Sequence, residues 1–251
     1  MSEPALYASP RHVESLTDCC FYHTMEIPGF GVVPGEEWDL RHNTRGYLGY
    51  TDFSGQRVLE VGPASGYLSF YMEQQGASVV SVDVGPNFTF DVVPLTGLDR
   101  RALSNGFVRA QERVQNAYWL THERLKSRNQ VHYGSGYAIP EELGTFDVGV
   151  LASILLHNAN PAAIIDQVAQ RVTRRMILID LCHAELPGST IPTIQLYPTA
   201  ENRVFHTWWR FSESFFVEML KIVGFPRITT NRTTQYWRGQ PYTLHTVIGE
   251  R

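Results

Sequence analysis

Residues 57–83 constrain this chain more than any other stretch, because they read as a strand, a glycine-bearing turn, a helix and a second strand closed by an acid. The first strand, Val58-Leu59-Glu60-Val61, runs into Gly62-Pro63-Ala64-Ser65-Gly66, and the second, Ala77 to Val82, delivers Asp83 at its carboxyl end. In an open α/β sheet, ligands bind outside the carboxyl ends of the strands. Glycines at the first turn let the backbone approach a ligand without a Cβ clash, and an acid at the end of the second strand accepts hydrogen bonds from both ribose hydroxyls. Both features suit an adenosine-containing ligand. The dinucleotide fingerprint G-x-G-x-x-G is not met, since positions 62, 64 and 67 are Gly, Ala and Tyr.

The rest of the chain alternates strand and helix patterns, as a mainly parallel sheet covered on both faces requires. Tyr67 to Gln75 carries apolar residues at helical intervals and stops at Gly76, a common C-terminal cap. Pro161 to Val172 reads as a helix with Pro in its first turn and Ile164, Ile165 and Val168 on one side, the pattern of a helix packed on a sheet. Further helices are expected around 40–50, over 103–128 and over 212–223. Two regions exceed a minimal fold. Residues 1–54 are marked by the turn residues Pro28, Gly29, Gly31, Pro34 and Gly35, and residues 85–129 make a connection longer than usual, with a Gly85-Pro86-Asn87 turn. Arg100, Arg101, Arg109, Arg113, Arg124, Lys126 and Arg128 in that connection are partly offset by Glu112 and Glu123, and read as a solvated helix face.

A chain of 251 residues, 43% hydrophobic and 18% charged, suits one enzyme-sized unit. The expected organisation is an extension or lid over 1–54 and a ligand-binding domain over 55–251 that carries the insertion 85–129. No run of about 18 apolar residues is present to span a bilayer, and Met1-Ser2-Glu3-Pro4 lacks the features of a signal peptide, so a soluble cytoplasmic protein is expected. Cys19, Cys20 and Cys182 form neither a disulfide framework nor a metal-ligand spacing. A formal net charge of −4 gives no electrostatic footprint for nucleic acid.

The turn resembles the E/D-x-G-x-G-x-G motif of the class I S-adenosylmethionine (SAM) dependent methyltransferases, with Glu60, Gly62 and Gly66 in place and Ala64 at the middle glycine. Four later segments follow in the order of that superfamily: Gly134 to Pro140 after a third strand, Phe146 to Ser153 as a fourth, Arg175 to Asp180 as a fifth, and Trp208 through Ser212 to Gly224-Phe225 leading into the last two. Leu155-Leu156-His157 and Asn160-Pro161 follow the fourth strand as in many of these enzymes. The similarity spans roughly residues 55–250. Phe21-Tyr22-His23, Trp38 to Arg41 and Asn116 to Trp119 also resemble the branch that includes the tRNA wobble-uridine carboxymethyltransferase and related small-molecule enzymes.

The resemblance implies a Rossmann-like α/β fold, a mainly parallel seven-stranded sheet with helices on both faces, and SAM as cofactor. It places Glu60 in support of the turn, Gly62, Ala64, Ser65 and Gly66 beneath the amino-acid part, and Asp83 with Val84 at the ribose. Ser135 and Gly136 fall near the adenine, where many relatives carry Asp or Asn at position 135, and Ser153 falls beside the methionine part.

Methyl transfer from a sulfonium is an in-line displacement with an excellent leaving group, so the protein mainly aligns a nucleophile and removes its proton where needed. His157, just past the fourth strand, is the first candidate base, with a structural role as the alternative; His183 after the fifth strand is the second, oriented by Asp180 or Glu185. Tyr22, His23, Trp208, Trp209 and Trp237 are candidate walls of a substrate pocket, and Arg41 or Arg45 a partner for a carboxylate. No converging set of carboxylates suggests a metal. The expected activity is methylation of an oxygen or nitrogen of a small molecule, with the insertion as a lid or a homodimer contact. The alternatives are a tRNA-modifying methyl or carboxymethyl transfer, non-methylating chemistry on bound SAM, and a non-catalytic SAM-binding protein.

Overall fold

The computed structural model describes residues 5–85, 91–183, 185–186 and 190–251. Pro86 and Asn87 of the expected turn, Ala184 beside His183 and the first four residues lie outside them. In chain order the strands are β1 (Met25–Ile27), β2 (Gly31–Val33), β3 (Trp38–Asp39), β4 (Arg57–Val61), β5 (Ser78–Asp83), β6 (Gln130–Tyr133), β7 (Phe146–Ala152), β8 (Val172–Leu181), β9 (Ile194–Leu196), β10 (Trp209–Phe211), β11 (Arg227–Trp237) and β12 (Gln240–Glu250). The helices are α1 (Thr44–Tyr47), α2 (Tyr67–Gln74), α3 (Arg100–Leu125), α4 (Pro161–Ala169) and α5 (Glu213–Ile222).

The main sheet has eight strands in the order β3-β11-β12-β8-β7-β4-β5-β6, not the expected seven. β6, β5, β4, β7 and β8 run parallel, whereas β12 pairs antiparallel with β8, and β11 with β12. The additional strand is β3, two residues of the N-terminal region that pair with Tyr236 and Trp237. An outer strand with free N–H and C=O groups invites such a partner.

Alternation along the strands divides the core. Leu59, Val61, Val80, Val82, Met176 and Leu178 pack with α4 and α5, whereas Val58, Val79, Ile177 and Ile179 pack with Tyr47 and Leu48 on one side and Leu68 and Met72 of α2 on the other. A third cluster joins Val13, Phe21, Met25 and Ile27 to Ala117, Trp119 and Leu120 of α3, so the N-terminal region rests on the insertion helix.

Helix boundaries differ from the sequence pattern for local reasons. α3 begins at Arg100 rather than 103 because Asp99 Oδ1 accepts from the backbone N–H groups of Arg101 and Ala102, and it ends before Lys126, which adopts φ 52°. α4 stops at Ala169, and Val172 instead opens β8 opposite Phe146. β-branched Val172 and Thr173 favour that extended state. α1 is shorter than the expected helix around 40–50, since Gly49 and Tyr50 both take positive φ. Among the described residues no helix is long and apolar enough to cross a membrane.

Candidate cofactor and acceptor site

The turn after β4 brings together three left-handed residues, Gly62 (φ 77°), Ala64 (φ 49°) and Gly66 (φ 88°). A Cβ on Gly66 would lie 2.5 Å from a ring carbon of Phe70 and 2.7 Å from one of Tyr118, and a Cβ on Gly62 would lie 2.9 Å from Ile154. Both positions favour glycine on conformational grounds, and the rings around Gly66 exclude a Cβ there on steric grounds as well. Ala64 holds the same backbone region with a side chain present, a strained arrangement of the kind found at ligand sites.

Beneath the turn, Glu60 is buried, and Oε2 accepts from the hydroxyls of Ser69 and Ser81. Burial pushes its carboxyl up to about 7, against the two serine donors that favour ionisation. Ser65 is fully buried, and its hydroxyl accepts from the backbone N–H of His23 at 3.3 Å, which ties the N-terminal region to the turn. His23 Nδ1 is buried without a hydrogen-bond partner, and burial lowers the imidazole to about 3.

Asp83 ends β5 beside that turn, because β4 and β5 are parallel and Val61 pairs with Val82. Its carboxylate Oδ2 accepts from Gln111 Nε2 at 3.0 Å, and Gln115 Nε2 donates to the carbonyl of Val84 at 2.8 Å. Burial raises Asp83 to about 6, opposed by hydrogen bonds from the Val84 backbone and from both glutamines. No sequence motif marks Gln111 and Gln115; their i, i+4 spacing on the insertion helix is the one signal that pairs them.

Ser135 and Gly136 follow β6. The Ser135 hydroxyl accepts from Tyr137 N–H at 3.1 Å, closing a local turn, while a Cβ on Gly136 would lie 3.3 Å from Val61. Tyr137 donates to Asp91 Oδ2, which also accepts from Ala159 N–H at 2.8 Å. Trp208 Nε1 donates to the Asp91 carbonyl at 2.6 Å, and Val93 N–H to the Phe205 carbonyl at 2.9 Å. Residues 91–93 thus link the loops after β6 and β7 to the segment before β10.

Past β7, Ser153 has φ 50°, donates its N–H to the Ile179 carbonyl, and lies 3.5 Å from the Tyr47 hydroxyl. Burial drives the phenols of Tyr22 and Tyr47 up, Tyr22 to about 12, and the Asp180 carboxylate adds to both in the same direction. Asp180 is buried, with Oδ1 bonded to Leu181 N–H and Oδ2 unpartnered; burial raises it to about 7. His245 stands directly across from it on β12, and its Nε2 is also buried without a partner.

His157 Nδ1 lies 2.6 Å from the His206 carbonyl, and Trp208 N–H donates to the Leu156 carbonyl. A carbonyl only accepts, so Nδ1 carries the proton and Nε2 keeps its lone pair. Burial lowers the imidazole below its usual range. His183 is likewise lowered by burial and then by Arg210, whose guanidinium pairs with Glu185 at 3.3 Å. Trp209 packs against the core and donates to the Asn158 carbonyl, stacked at 6.1 Å on Trp208. Arg41 forks onto Asp39 at 2.8 and 2.9 Å, Arg45 lies over Tyr50, and Trp237 donates to Glu37 at the sheet edge. These last three are thus engaged with protein partners. A cavity of about 300 Å³ lined by Gly55, Arg57, Ser78 and Asn129 lies at the opposite, amino-terminal end of β4 and β5.

No family model matches the sequence, and no curated protein does. Solved structures do match in fold. The N-terminal domain of EvdMO1 with S-adenosylhomocysteine (SAH) bound superposes with a TM-score of 0.55 at 16% identity, covering 92% of this chain and 91% of that one. Magnesium protoporphyrin IX methyltransferase from Synechocystis PCC 6803 with bound SAH gives 0.51 at 16% identity over 83% of each chain. The 1,6-didemethyltoxoflavin-N1-methyltransferase of Burkholderia thailandensis, with bound 1,6-didemethyltoxoflavin and SAH, gives 0.51 at 14% identity over 84% of this chain and 78% of that one. With the parallel strand order, the glycine turn and the terminal acid, these matches identify the fold as that of the class I SAM-dependent methyltransferases.

Proposed function

We propose that this protein is an enzyme that transfers a methyl group from SAM to an oxygen or nitrogen of a small molecule. The observation that carries this reading is the juxtaposition of the glycine turn of β4 with the Asp83 carboxylate at the end of the adjacent parallel strand, in a fold whose solved examples include SAH complexes. The residues fit the cofactor: Gly62 and Gly66 hold the positive-φ turn at the carboxyl end of β4, and Asp83 at the end of the neighbouring strand is an acceptor for two ribose hydroxyls. When bound, SAM supplies an activated methyl group and a neutral thioether leaving group.

Asp83, the turn of β4 and Ser153 lie at the carboxyl ends of three successive strands, β5, β4 and β7, and would hold the ribose, the 5′ substituent and the methionine part in that order. Val84, Ser135 and Gly136 then border the base, and Ala64, Ser65 and Glu60 support the amino-acid part. Tyr22, Tyr47, Trp208 and Trp209 border the acceptor. The fixed Nδ1–H tautomer of His157 leaves Nε2 competent to take a proton from the acceptor, and His183 is the second candidate. Residues 1–54 act as a cover, an assignment supported by the His23–Ser65 bond. A small-molecule acceptor agrees with the names of the toxoflavin and protoporphyrin enzymes and with the acidic charge balance.

Calorimetry with SAH on the wild type and Asp83→Ala tests the reading. Micromolar or tighter binding lost at least tenfold in the variant is expected. A wild type that does not bind SAH overturns it.

A further inference from the structure

The N-terminal region contributes a buried polar atom that the fold itself leaves unused. His23 is 9% exposed, and its Nδ1 has no hydrogen-bond partner. A buried unpaired ring nitrogen costs stability unless a ligand completes it. Its position is fixed from two sides. The His23 backbone N–H donates to Ser65 Oγ inside the glycine turn, and the ring packs edge-on to Tyr22 at 4.9 Å and against Tyr67 at 5.9 Å.

Tyr67 is the first residue of α2, an eight-residue helix whose cap is Gly66. Gly66 offers no side chain to the first N–H groups, so this end of the helix carries unsatisfied donors and the positive end of the helix dipole. The ring with the orphaned nitrogen therefore packs on the first residue of an uncapped helix, and the His23 backbone is tied to the turn that leads into that helix. The helix start favours an anion, and a neutral imidazole can offer it an N–H.

We propose that His23 is a specificity-determining residue for the cofactor's amino-acid end, with Nδ1–H donating to its carboxylate beside the N-terminus of α2. This assignment rests on the SAM reading above and moves His23 from the acceptor wall to the donor site. The N-terminal region thereby distinguishes ligands that carry an amino-acid chain from those that carry adenosine alone. Burial keeps the imidazole neutral through the physiological range, so the contact is a fixed hydrogen bond rather than a pH switch.

Three probes separate the possibilities by calorimetry: SAH, its decarboxylated amine analogue, and 5′-methylthioadenosine, which has a methyl in place of the amino-acid chain. His23→Ala is expected to weaken SAH about tenfold or more, the effect of one hydrogen bond to a charged group, and to leave both other ligands within about twofold. His23→Asn, whose amide N–H can take the place of Nδ1–H, is expected to recover part of the SAH affinity. Equal SAH affinity in wild type and both variants overturns the assignment. So does a parallel loss of 5′-methylthioadenosine, which would mark a disturbed fold, or an undiminished effect on the decarboxylated analogue. A wild type that binds 5′-methylthioadenosine and SAH while the variants show no selective loss leaves the cofactor reading standing; one that binds neither removes that reading as well.

Discussion

Gln111 Nε2 donates to Asp83 Oδ2 at 3.0 Å, so the insertion helix α3 holds the acid that closes β5 beside the glycine turn. The bond favours the ionised carboxylate, whereas burial favours the protonated one, and burial wins to leave Asp83 at about 6. Ribose hydroxyls need an acceptor, so ligand affinity follows the ionised fraction. SAH affinity should rise with pH through about 6 and then level, falling by up to about tenfold per unit on the acid side. Gln111→Ala removes a donor and should move the midpoint upward. Asp83→Asn should weaken binding and flatten this transition. Calorimetry from pH 5 to 8 on the three proteins checks the order of the midpoints, and a midpoint unmoved by Gln111→Ala would detach α3 from the site.

The strand, glycine turn and terminal acid of residues 60–83 were legible in the sequence because they are close together in the chain. Gly62, Gly66 and Asp83 belong to one strand-turn-helix-strand unit, whose geometry follows from local conformational rules. Gln111 and Asp91 were not legible. Each meets its partner across more than 25 residues, Gln111 from a helix with no motif and Asp91 through the Tyr137 hydroxyl. The eighth strand was missed for a related reason: two residues, Trp38 and Asp39, carry no periodicity and become a strand only because β11 offers an open edge. Arg41 illustrates the converse, since an arginine in a loop gives no sign that the carboxylate two residues earlier engages its fork.

Ala64 and Gly66 share the left-handed backbone but should respond oppositely to exchange. Ala64→Gly relieves a conformation that costs an L-residue about 1–2 kcal/mol, against about 0.5–1 kcal/mol for glycine's extra chain entropy. A net gain of up to about 1.5 kcal/mol is expected in urea unfolding. Gly66→Ala incurs that conformational cost and forces its Cβ to 2.5 Å from Phe70, so a loss of about 2–4 kcal/mol is expected. A destabilised Ala64→Gly would show that its methyl group makes a contact worth more than the strain.

Glu60 sets a pH dependence of stability. In the folded protein it keeps its proton to about 7, whereas the ordinary value is 4.5. Between those values the folded state binds more protons than the unfolded chain, so stability is greatest below 4.5 and falls as pH rises through 7. The contribution is of order 3 kcal/mol, and Asp83 and Asp180 carry the same sign. Glu60→Gln keeps an acceptor for Ser69 and Ser81 without titrating. It should be more stable than the wild type at pH 8 by about 2–3 kcal/mol and within about 1 kcal/mol of it at pH 4. Parallel stability profiles for the two proteins would mean that Glu60 does not titrate in this range.

Asp91 joins segments that the topology alone would leave separate. Its carboxylate accepts from Tyr137 and from Ala159 N–H, its carbonyl from Trp208, and the Val93 N–H two residues on reaches Phe205. Tyr137 also accepts from Asn160 N–H at 3.2 Å, so its hydroxyl is the node between the loops after β6 and β7. Tyr137→Phe removes that node while keeping the ring, at a cost of about 1–2 kcal/mol. If residues 91–93 and 158–160 open as one unit, amide exchange at Val93, Ala159 and Asn160 should quicken together by a factor of about 5–30. Amides of β8 such as Leu178, buried in the parallel core, should keep their protection because they open only with the whole sheet. On the proposed reading, in which Ser135 and Ser153 border the cofactor, SAH should slow exchange at the three sites in the wild type and less so in the variant. Quickened exchange at Ala159 and Asn160 with Val93 unchanged would show that Asp91 and the segment before β10 are held independently of Tyr137.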